Sequence, residues 1–289
     1  MTTASPRRTG ATTLNTLRGV NLGGWLVLEK WITPSLFAGL TATDETSYCV
    51  ELGEAEATRR LQHHWNTFIT RDDFVWLAQA GINAVRLPVG HWLFGKDYPY
   101  HSSYGEARYP FVVGGLEIVD RMMAWAEQCK LKVVLDLHAA PGCQNGFDNG
   151  GILNVCDWAS KAEYIDHALD VLERLAQRYK DAPALCGIEV LNEPRWDIPT
   201  DLLKDYTQRA YQRIRRHCAA EQVSVIFHDG FRDFRQYAGF LQAPEYNNVT
   251  FDIHRYQCFV REEIDLDIFG HMRKGAEDLR EEVRAIVRE

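Results

Sequence analysis

The stretch Cys186–Pro194 reads C-G-I-E-V-L-N-E-P, and it indicates how the chain folds. Its interior, G-I-E-V-L, is a near-continuous hydrophobic run of the kind found in parallel strands that are buried on both faces. Pro194 has no N–H for a hydrogen-bonded ladder, so it ends the strand and leaves Glu193 at the rim. The sequence therefore predicts a buried parallel strand with a carboxylate at its C-terminal end.

A carboxylate beside apolar neighbours is costly to bury unless it is paired or neutral. One interpretation makes Glu193 a general acid whose pKa is raised by partial burial, with Asn192 holding a ligand hydroxyl. The tetrapeptide L-N-E-P on its own fits a strand-end pair that makes capping bonds equally well. Other parts of the chain have to distinguish these interpretations.

Further apolar runs of strand length alternate with segments of helical period along the chain. The six predicted strands are Leu17–Trp25, Ile82–Val89, Lys132–His138, Cys186–Asn192, Ser224–Asp229 and Val249–Tyr256. This alternation predicts an α/β fold, a TIM-type (β/α)8 barrel of which about six β/α units are evident. A doubly wound sheet is the alternative, but the phosphate-binding patterns G-x-G-x-x-G and G-x-x-x-x-G-K are both absent.

Capping patterns and irregular segments complete the predicted layout. Thr70 with Asp73, and Ser160 with Glu163, have the spacing of capping boxes at helix starts. The longer irregular stretches, roughly 26–60, 90–111 and 139–157, each follow a predicted strand. They are therefore expected at the C-terminal edge of the strands, where α/β barrels build their active sites.

Composition narrows the functional classes. Residues 1–16 are polar and are expected to be a disordered lead without a signal peptide, so residues 17–289 form the predicted barrel domain. The 32 basic and 40 acidic residues leave a formal charge of -8, which argues against a nucleic-acid partner. No apolar stretch approaches the roughly 20 residues that span a bilayer, so we expect no membrane partner.

The cysteines indicate the compartment. There are seven of them without a C-x-x-C, which indicates reduced thiols, so we expect a cytoplasmic protein.

Polar side chains recur at the ends of the other predicted strands. These residues are Arg86, Asp136, His138, His254 and Tyr256. Each alone fits a satisfied structural group, but together they predict one pocket. The loop G-C-Q-N-G-F-D-N-G-G adds amides and the ring of Phe147. Amides, carboxylates and aromatic rings suit a polyhydroxylated ligand better than a phosphate or a metal.

Six ordered motifs resemble the exo-β-1,3-glucanase branch of glycoside hydrolase family 5. They are R-G-V-N-L-G-G-W-L-V-L-E-K-W-I-T-P-S-L-F, N-A-V-R-L-P-V, L-D-L-H-A-A-P-G, Q-N-G-F-D-N, L-N-E-P and H-R-Y-Q-C-F, spread over residues 18–259. The resemblance implies a (β/α)8 barrel and a retaining glycosidase that needs no metal or cofactor. The expected substrate is a β-glucoside or β-glucan oligosaccharide from which terminal β-linked glucose is released.

The resemblance also implies a role for each residue that matches the family's motifs. Glu193 corresponds to the catalytic acid/base. The pocket for the terminal sugar would be formed by Glu29, Asp136, His138 and Asn149. Support for the catalytic pair would come from Arg86, Asn192, His254 and Tyr256, and an aromatic clamp at the entrance from Phe147 and Phe259.

The family's nucleophile is a second Glu at the end of a seventh strand, usually in a G-E-W motif, and no such motif is present. The acids Glu262, Glu263, Glu277, Glu281 and Glu282 lie in predicted loop or helix, so none is assigned this role. The chain is therefore expected to lack its C-terminal part and to self-associate through exposed barrel edges. The alternatives are a catalytically impaired sugar-binding module and a truncated gene fragment.

Overall fold

A computed structural model describes residues 16–95 and 110–288 of the protein. Its strands are β1 (Gly19–Asn21), β2 (Ala84–Gly90), β3 (Lys132–Ala139), β4 (Leu185–Glu189), β5 (Ser224–His228) and β6 (Val249–Asp252). The strands follow one another in sequence order across a single sheet, and every neighbouring pair is parallel. This confirms the prediction of six parallel strands in barrel order. Apart from residue 16, the predicted N-terminal lead lies outside the described residues.

Helices lie between the strands and after the last of them. They are α1 (Glu45–Thr67), α2 (Arg71–Gln79), α3 (Gly115–Cys129), α4 (Ala162–Tyr179), α5 (Thr200–Arg215), α6 (Arg261–Ile264), α7 (Ile268–Arg273) and α8 (Leu279–Arg288), with a π-helical turn at Lys274–Asp278 between the last two. Short 3₁₀ turns occur at Pro34–Phe37, His91–Phe94, Asp148–Gly150, Trp158–Ser160 and Phe234–Tyr237. Within residues 16–95 and 110–288, no helix has the length and apolar character needed to span a membrane.

The apolar core lies between the central strands and the helices. Leu135 of β3, Ile188 of β4, and Leu172 of α4 are fully buried in one continuous cluster. The middle strands are buried almost throughout, as their hydrophobic runs predict. Burial of this kind fixes the central strands firmly, and the site described below is built at their C-terminal ends.

The two outer strands are more exposed than the inner ones. All three residues of β1 are exposed, and β6 is half-buried or exposed along its length. In the part of the chain that the structure describes, each outer strand pairs with one neighbour only. The sheet thus has two edges whose backbone groups are open on one side.

Two sequence-based predictions are wrong. Helix α1 occupies part of a stretch that was expected to be irregular. Its first turn is held by a capping box between Asp44 and Ser47, and the helix is interrupted at Gly53, which has a φ of 72°. The break disguises the helical period. The predicted box at Ser160 is also absent, because helix α4 starts after Lys161 and the Ser160 hydroxyl donates to the Asp157 carbonyl.

Two glycines separate the effect of backbone conformation from that of space. Gly142 has a φ of +71°, and a Cβ there would lie 2.5 Å from the Tyr164 ring. Gly39 has a φ of +79°, and a Cβ there would meet nothing within 4 Å. We expect Gly142→Ala to lower the free energy of unfolding by about 1–3 kcal/mol more than Gly39→Ala, because only the first adds a clash. Urea denaturation of both variants measures this difference. Equal losses of unfolding free energy would show that the loop around Gly142 moves enough to relieve the clash with Tyr164.

Candidate active site

Glu193 lies at the rim of the sheet, just beyond the end of β4. The segment between them remains tied to both neighbouring strands, since Val190 N–H donates to the Ile226 carbonyl and Asn192 N–H to the Leu137 carbonyl. Glu193 itself has a φ of 43°, in the left-handed region that non-glycine residues rarely adopt. Strain of this kind persists only where the surroundings hold it, and it is concentrated at functional sites.

The Glu193 carboxylate is almost fully buried and accepts two short hydrogen bonds. Both reach Oε1, from His254 Nδ1 at 2.6 Å and from the Tyr256 hydroxyl at 2.7 Å. The two donors follow strand β6, whereas Glu193 follows β4. The contact therefore joins two segments that are more than 60 residues apart in sequence.

The expectation that burial raises the pKa of Glu193 is wrong. Burial does act in that direction, but the hydrogen bonds from His254 and Tyr256 outweigh it and lower the pKa to about 2. Glu193 is thus ionised at neutral pH in this structure. An ionised carboxylate can accept a proton, but it cannot donate one.

His254 is the cationic partner of this carboxylate. Its Nδ1 pairs with Glu193 and its Nε2 lies 3.3 Å from Asp252 Oδ2. Burial lowers the pKa of His254, but the two carboxylates outweigh it and raise the pKa to about 10. The neighbouring His228, with its ring centroid 4.3 Å from that of His254, behaves oppositely: burial and the His254 cation lower its pKa to about 3.

Arg86 organises the polar centre of the sheet. Its guanidinium bonds Glu189 Oε2 at 2.7 Å, Asn192 Oδ1 at 2.8 Å and Asp136 Oδ2 at 3.0 Å. Glu189 is completely buried, and desolvation raises its pKa even though Arg86 opposes the change. Sequence reasoning missed Glu189. The available signal was a lone acid inside the hydrophobic run G-I-E-V-L, which requires a buried cation nearby.

The predicted pocket residues of β3 and of the loop after β1 lie together. Asp136 Oδ2 is 2.6 Å from His138 Nδ1, and the indole nitrogen of Trp31 donates to Glu29 Oε2 at 3.0 Å. Burial raises the pKa of Glu29, and the nearby His138 opposes this rise. The charge of Glu29 also acts on the Tyr256 hydroxyl. Glu29 therefore borders the same region as the contact between Tyr256 and Glu193.

Several buried polar atoms in this region have no hydrogen-bond partner among residues 16–95 and 110–288. They are Asp136 Oδ1, His138 Nε2, Glu189 Oε1, Asn192 Nδ2 and His228 Nε2. Buried polar atoms are normally satisfied by protein, water or ligand. The set includes both donors and acceptors, which is what a ligand with several hydroxyl groups requires.

The remaining predicted site residues lie on the rim. Asn149 is half-buried and its side-chain oxygen accepts from Asn145 Nδ2 at 3.0 Å. Phe147 and Phe259 are 40% and 76% exposed, and the Phe259 ring lies 5.3 Å from that of Tyr256. Their exposure leaves the faces of both rings open to a ligand, while the proposed clamp between them stays a prediction.

Among residues 16–95 and 110–288, two groups of three side chains have metal-ligand spacing. Ligand atoms lie within 4.8 Å of one another in Glu193, His228 and His254, and likewise in Glu189, Asp252 and His254. Both groups include His254, and both of its ring nitrogens are already paired with carboxylates. A protonated imidazole has no lone pair for a metal ion. The observed hydrogen bonds therefore account for this clustering.

The profile of the family described as Cellulase (glycosyl hydrolase family 5) matches residues 49–286. The chain belongs to glycosyl hydrolase family 5. This finding confirms the resemblance read from the six sequence motifs. It also accounts for a parallel sheet whose polar residues gather at the C-terminal strand ends.

Curated relatives in this family cover most of the chain. A probable glucan 1,3-beta-glucosidase A of Emericella nidulans is 44% identical over 254 residues, which are 86% of this chain and 59% of the relative. A glucan 1,3-beta-glucosidase of Blumeria graminis is 38% identical over 270 residues, which are 91% of this chain and 60% of the relative. The chain thus spans about three-fifths of the length of these relatives.

Among solved structures, the rutinosidase of Aspergillus niger has a similar fold. The two superpose with a TM-score of 0.72 at 23% identity, over 84% of this chain and 70% of that one. At this identity the similarity concerns the fold alone. It agrees with a (β/α) barrel architecture for the described strands.

The Glu193–His254 contact predicts a defined pH dependence of stability. The pKa of Glu193 falls from 4.5 to about 2, so its contribution is present above pH 4.5 and is lost as pH falls. The pKa of His254 rises from 6.5 to about 10, so its contribution is present below pH 6.5 and is lost as pH rises. We expect the difference in melting temperature between the unsubstituted protein and Glu193→Gln to be largest between these limits.

Scanning calorimetry from pH 3 to pH 9 measures this difference. Glu262→Gln, the same chemical change on the exposed helix α6, serves as the control. A difference that stays constant across the range would contradict the ion pair.

Proposed function

We propose that the protein is a retaining glycoside hydrolase that releases terminal β-linked glucose from β-1,3-glucan oligosaccharides or related β-glucosides. The observation that carries the proposal is the placement of Glu193, on strained backbone at a strand end, with two hydrogen-bond donors on one carboxylate oxygen. Family membership and the names of the curated relatives support the reaction and the substrate class.

Glu193 acts as the acid/base in this proposal. In the described state its ionised carboxylate can take a proton from an attacking water, which is the base half of the reaction. The acid half needs a protonated Glu193. A second carboxylate about 5 Å away, as retaining enzymes have, would raise the pKa of Glu193 by like-charge repulsion. Acid catalysis by this residue thus depends on the partner carboxylate.

The proposal does not assign that partner carboxylate to this chain. Glu262 and Glu263 lie in helix α6, and Glu281 and Glu282 lie in helix α8. Glu282 is paired with Arg255, and Glu263 with Lys274. None of these acids follows a strand end, where Glu193 and its donors are placed.

The glucose pocket of the proposal uses Glu29, Asp136, His138 and Asn149 for the sugar hydroxyls. The unpartnered Asp136 Oδ1 and His138 Nε2 supply one acceptor and one further ring nitrogen. Phe147 and Phe259 would stack on the sugar next to the terminal one, because both rings are exposed at the rim. Arg86 and Asn192 hold the pocket floor through their mutual hydrogen bond.

A second candidate is a sugar-binding module that keeps the pocket without turnover. The observation that favours it is the lowered pKa of Glu193, which leaves the residue without the proton that a general acid requires. The open edges at β1 and β6 add a proposal of self-association through these strands. The cytoplasmic location and the lack of a nucleic-acid partner stay predictions of the sequence.

Glu193→Gln tests the acid/base role in a protein that also carries the second carboxylate, because the glycosylation step needs that nucleophile. On β-glucosides with poor leaving groups we expect hydrolysis to fall by about 10²- to 10⁴-fold, because the leaving oxygen is no longer protonated. Glycosylation by activated aryl β-glucosides needs no such proton and should persist, measured as a burst of released phenol. Equal loss on both substrates would remove the assignment, and Glu262→Gln should behave like the unsubstituted protein.

Calorimetric titration with laminaribiose separates the two candidate functions. Binding without any glucose release by a protein that carries the second carboxylate favours the sugar-binding module, and release of glucose favours the hydrolase. Asp136→Asn should weaken binding in either case, since it removes the charge that orients His138. Asp205→Asn, the same chemical change at an exposed position of helix α5, is the control, and the folded fraction of each variant is measured alongside its affinity. Unchanged affinity in Asp136→Asn would place the sugar elsewhere.

A further inference from the structure

Gln144 is a fully buried amide in the loop after β3, and both polar atoms of its side chain are hydrogen-bonded. Its Nε2 donates to the His138 carbonyl at 2.7 Å and to the Asn192 carbonyl at 2.8 Å. Its Oε1 accepts from Ala140 N–H at 3.0 Å. One side chain therefore joins the C-terminal ends of β3 and β4.

The backbone of Gln144 makes a further connection on the far side of Glu193. Its carbonyl accepts from Arg195 N–H at 3.0 Å. Asn192 and Arg195 flank the dipeptide Glu193–Pro194, so Gln144 contacts the chain immediately before and immediately after it. Glu193 is the residue with the left-handed φ of 43°.

Asn192 is held on three sides as a result. Its N–H donates to the Leu137 carbonyl, its side-chain oxygen accepts from Arg86, and its carbonyl accepts from Gln144. The first two contacts fix the strand and the side chain. The third fixes the carbonyl of the peptide bond that joins Asn192 to Glu193, and with it the direction in which the Glu193 backbone leaves the strand.

We infer that Gln144 is a positioning residue for Glu193, keeping its strained backbone in the orientation that presents the carboxylate to His254 and Tyr256. The inference rests on the proposed function for the catalytic importance of Glu193, but the contact itself does not. Gln144 acts through the Asn192 carbonyl and the Arg195 amide.

Gln144→Met tests the inference, because methionine keeps the length and bulk of the side chain and removes its donors and acceptor. The readout is the titration of His254, followed by NMR on protein with ¹³C-labelled histidine and assigned through His254→Asn. We expect the pKa of His254 to fall by about one pH unit or more in Gln144→Met, because the carboxylate partner is displaced. Glu193→Gln gives the shift for complete loss of that partner.

Gln208→Met is the matched control, since Gln208 lies on helix α5 and its side chain donates to the Tyr246 hydroxyl, which is not among the residues that hold Glu193. Each variant is measured at the same interval below its own melting temperature, so that lowered stability alone does not change the measured pKa of His254. A titration of His254 in Gln144→Met equal to that in Gln208→Met would overturn the inference.

A measurement on the unsubstituted protein covers the case in which Gln144→Met does not fold. Both side-chain amide protons of Gln144 should exchange slowly with solvent, because each donates to a buried carbonyl. Rapid exchange would overturn the inference. Neither readout uses a substrate. A failure of the proposed hydrolysis would appear as unchanged hydrolytic activity in Glu193→Gln. It is therefore distinguishable from a failure of the positioning role, which would appear in the titration of His254.

Discussion

The pairing of the half-buried Arg86 guanidinium with buried carboxylates is the interaction on which the rest of the structure depends. Four acceptors, from β1, β3, β4 and the segment after β4, converge on the guanidinium. Removing one partner from a buried charge cluster costs about 3–5 kcal/mol, because the remaining charge has no water to replace it. Asp136 and Glu189 can therefore occupy the centre of a hydrophobic sheet only while Arg86 is in place. The strands must keep their register for these atoms to meet.

This charge cluster at the base and the strained residue at the rim have different tasks. Arg86 orients Asn192 by a hydrogen bond and Asp136 by an ion pair. His254 and Tyr256 hold the Glu193 carboxylate by hydrogen bonds to its Oε1. The left-handed backbone of Glu193 is maintained by these contacts rather than by its own preference. A site built in this way is rigid because each polar group is restrained by a neighbour on another strand.

The sequence predicts the fold, because the fold depends on patterns that a strand displays locally, and the polar residues it marks at strand ends lie close together in the structure. Hydrophobic runs locate the six strands, and Pro194 marks the end of the fourth. Helix α1 was not predicted, since Gly53 breaks its period. The protonation state of Glu193 was predicted wrongly, because it depends on donors more than 60 residues away whose distance no local pattern contains. Glu189 and Gln144 were missed for the same reason, as their partners lie on other strands.

The sequential pairing of the strands has a consequence for how the protein is assembled. Each strand lies beside the next one in sequence, so the sheet can grow in one direction as the chain leaves the ribosome. The residues of β2, β3 and β4 come together early in such a process. Glu193 receives its two donors only when the segment after β6 arrives. In this order the contacts among β2, β3 and β4 form first and the ion pair between Glu193 and His254 forms last, so the candidate site is complete only after the sheet beneath it has formed.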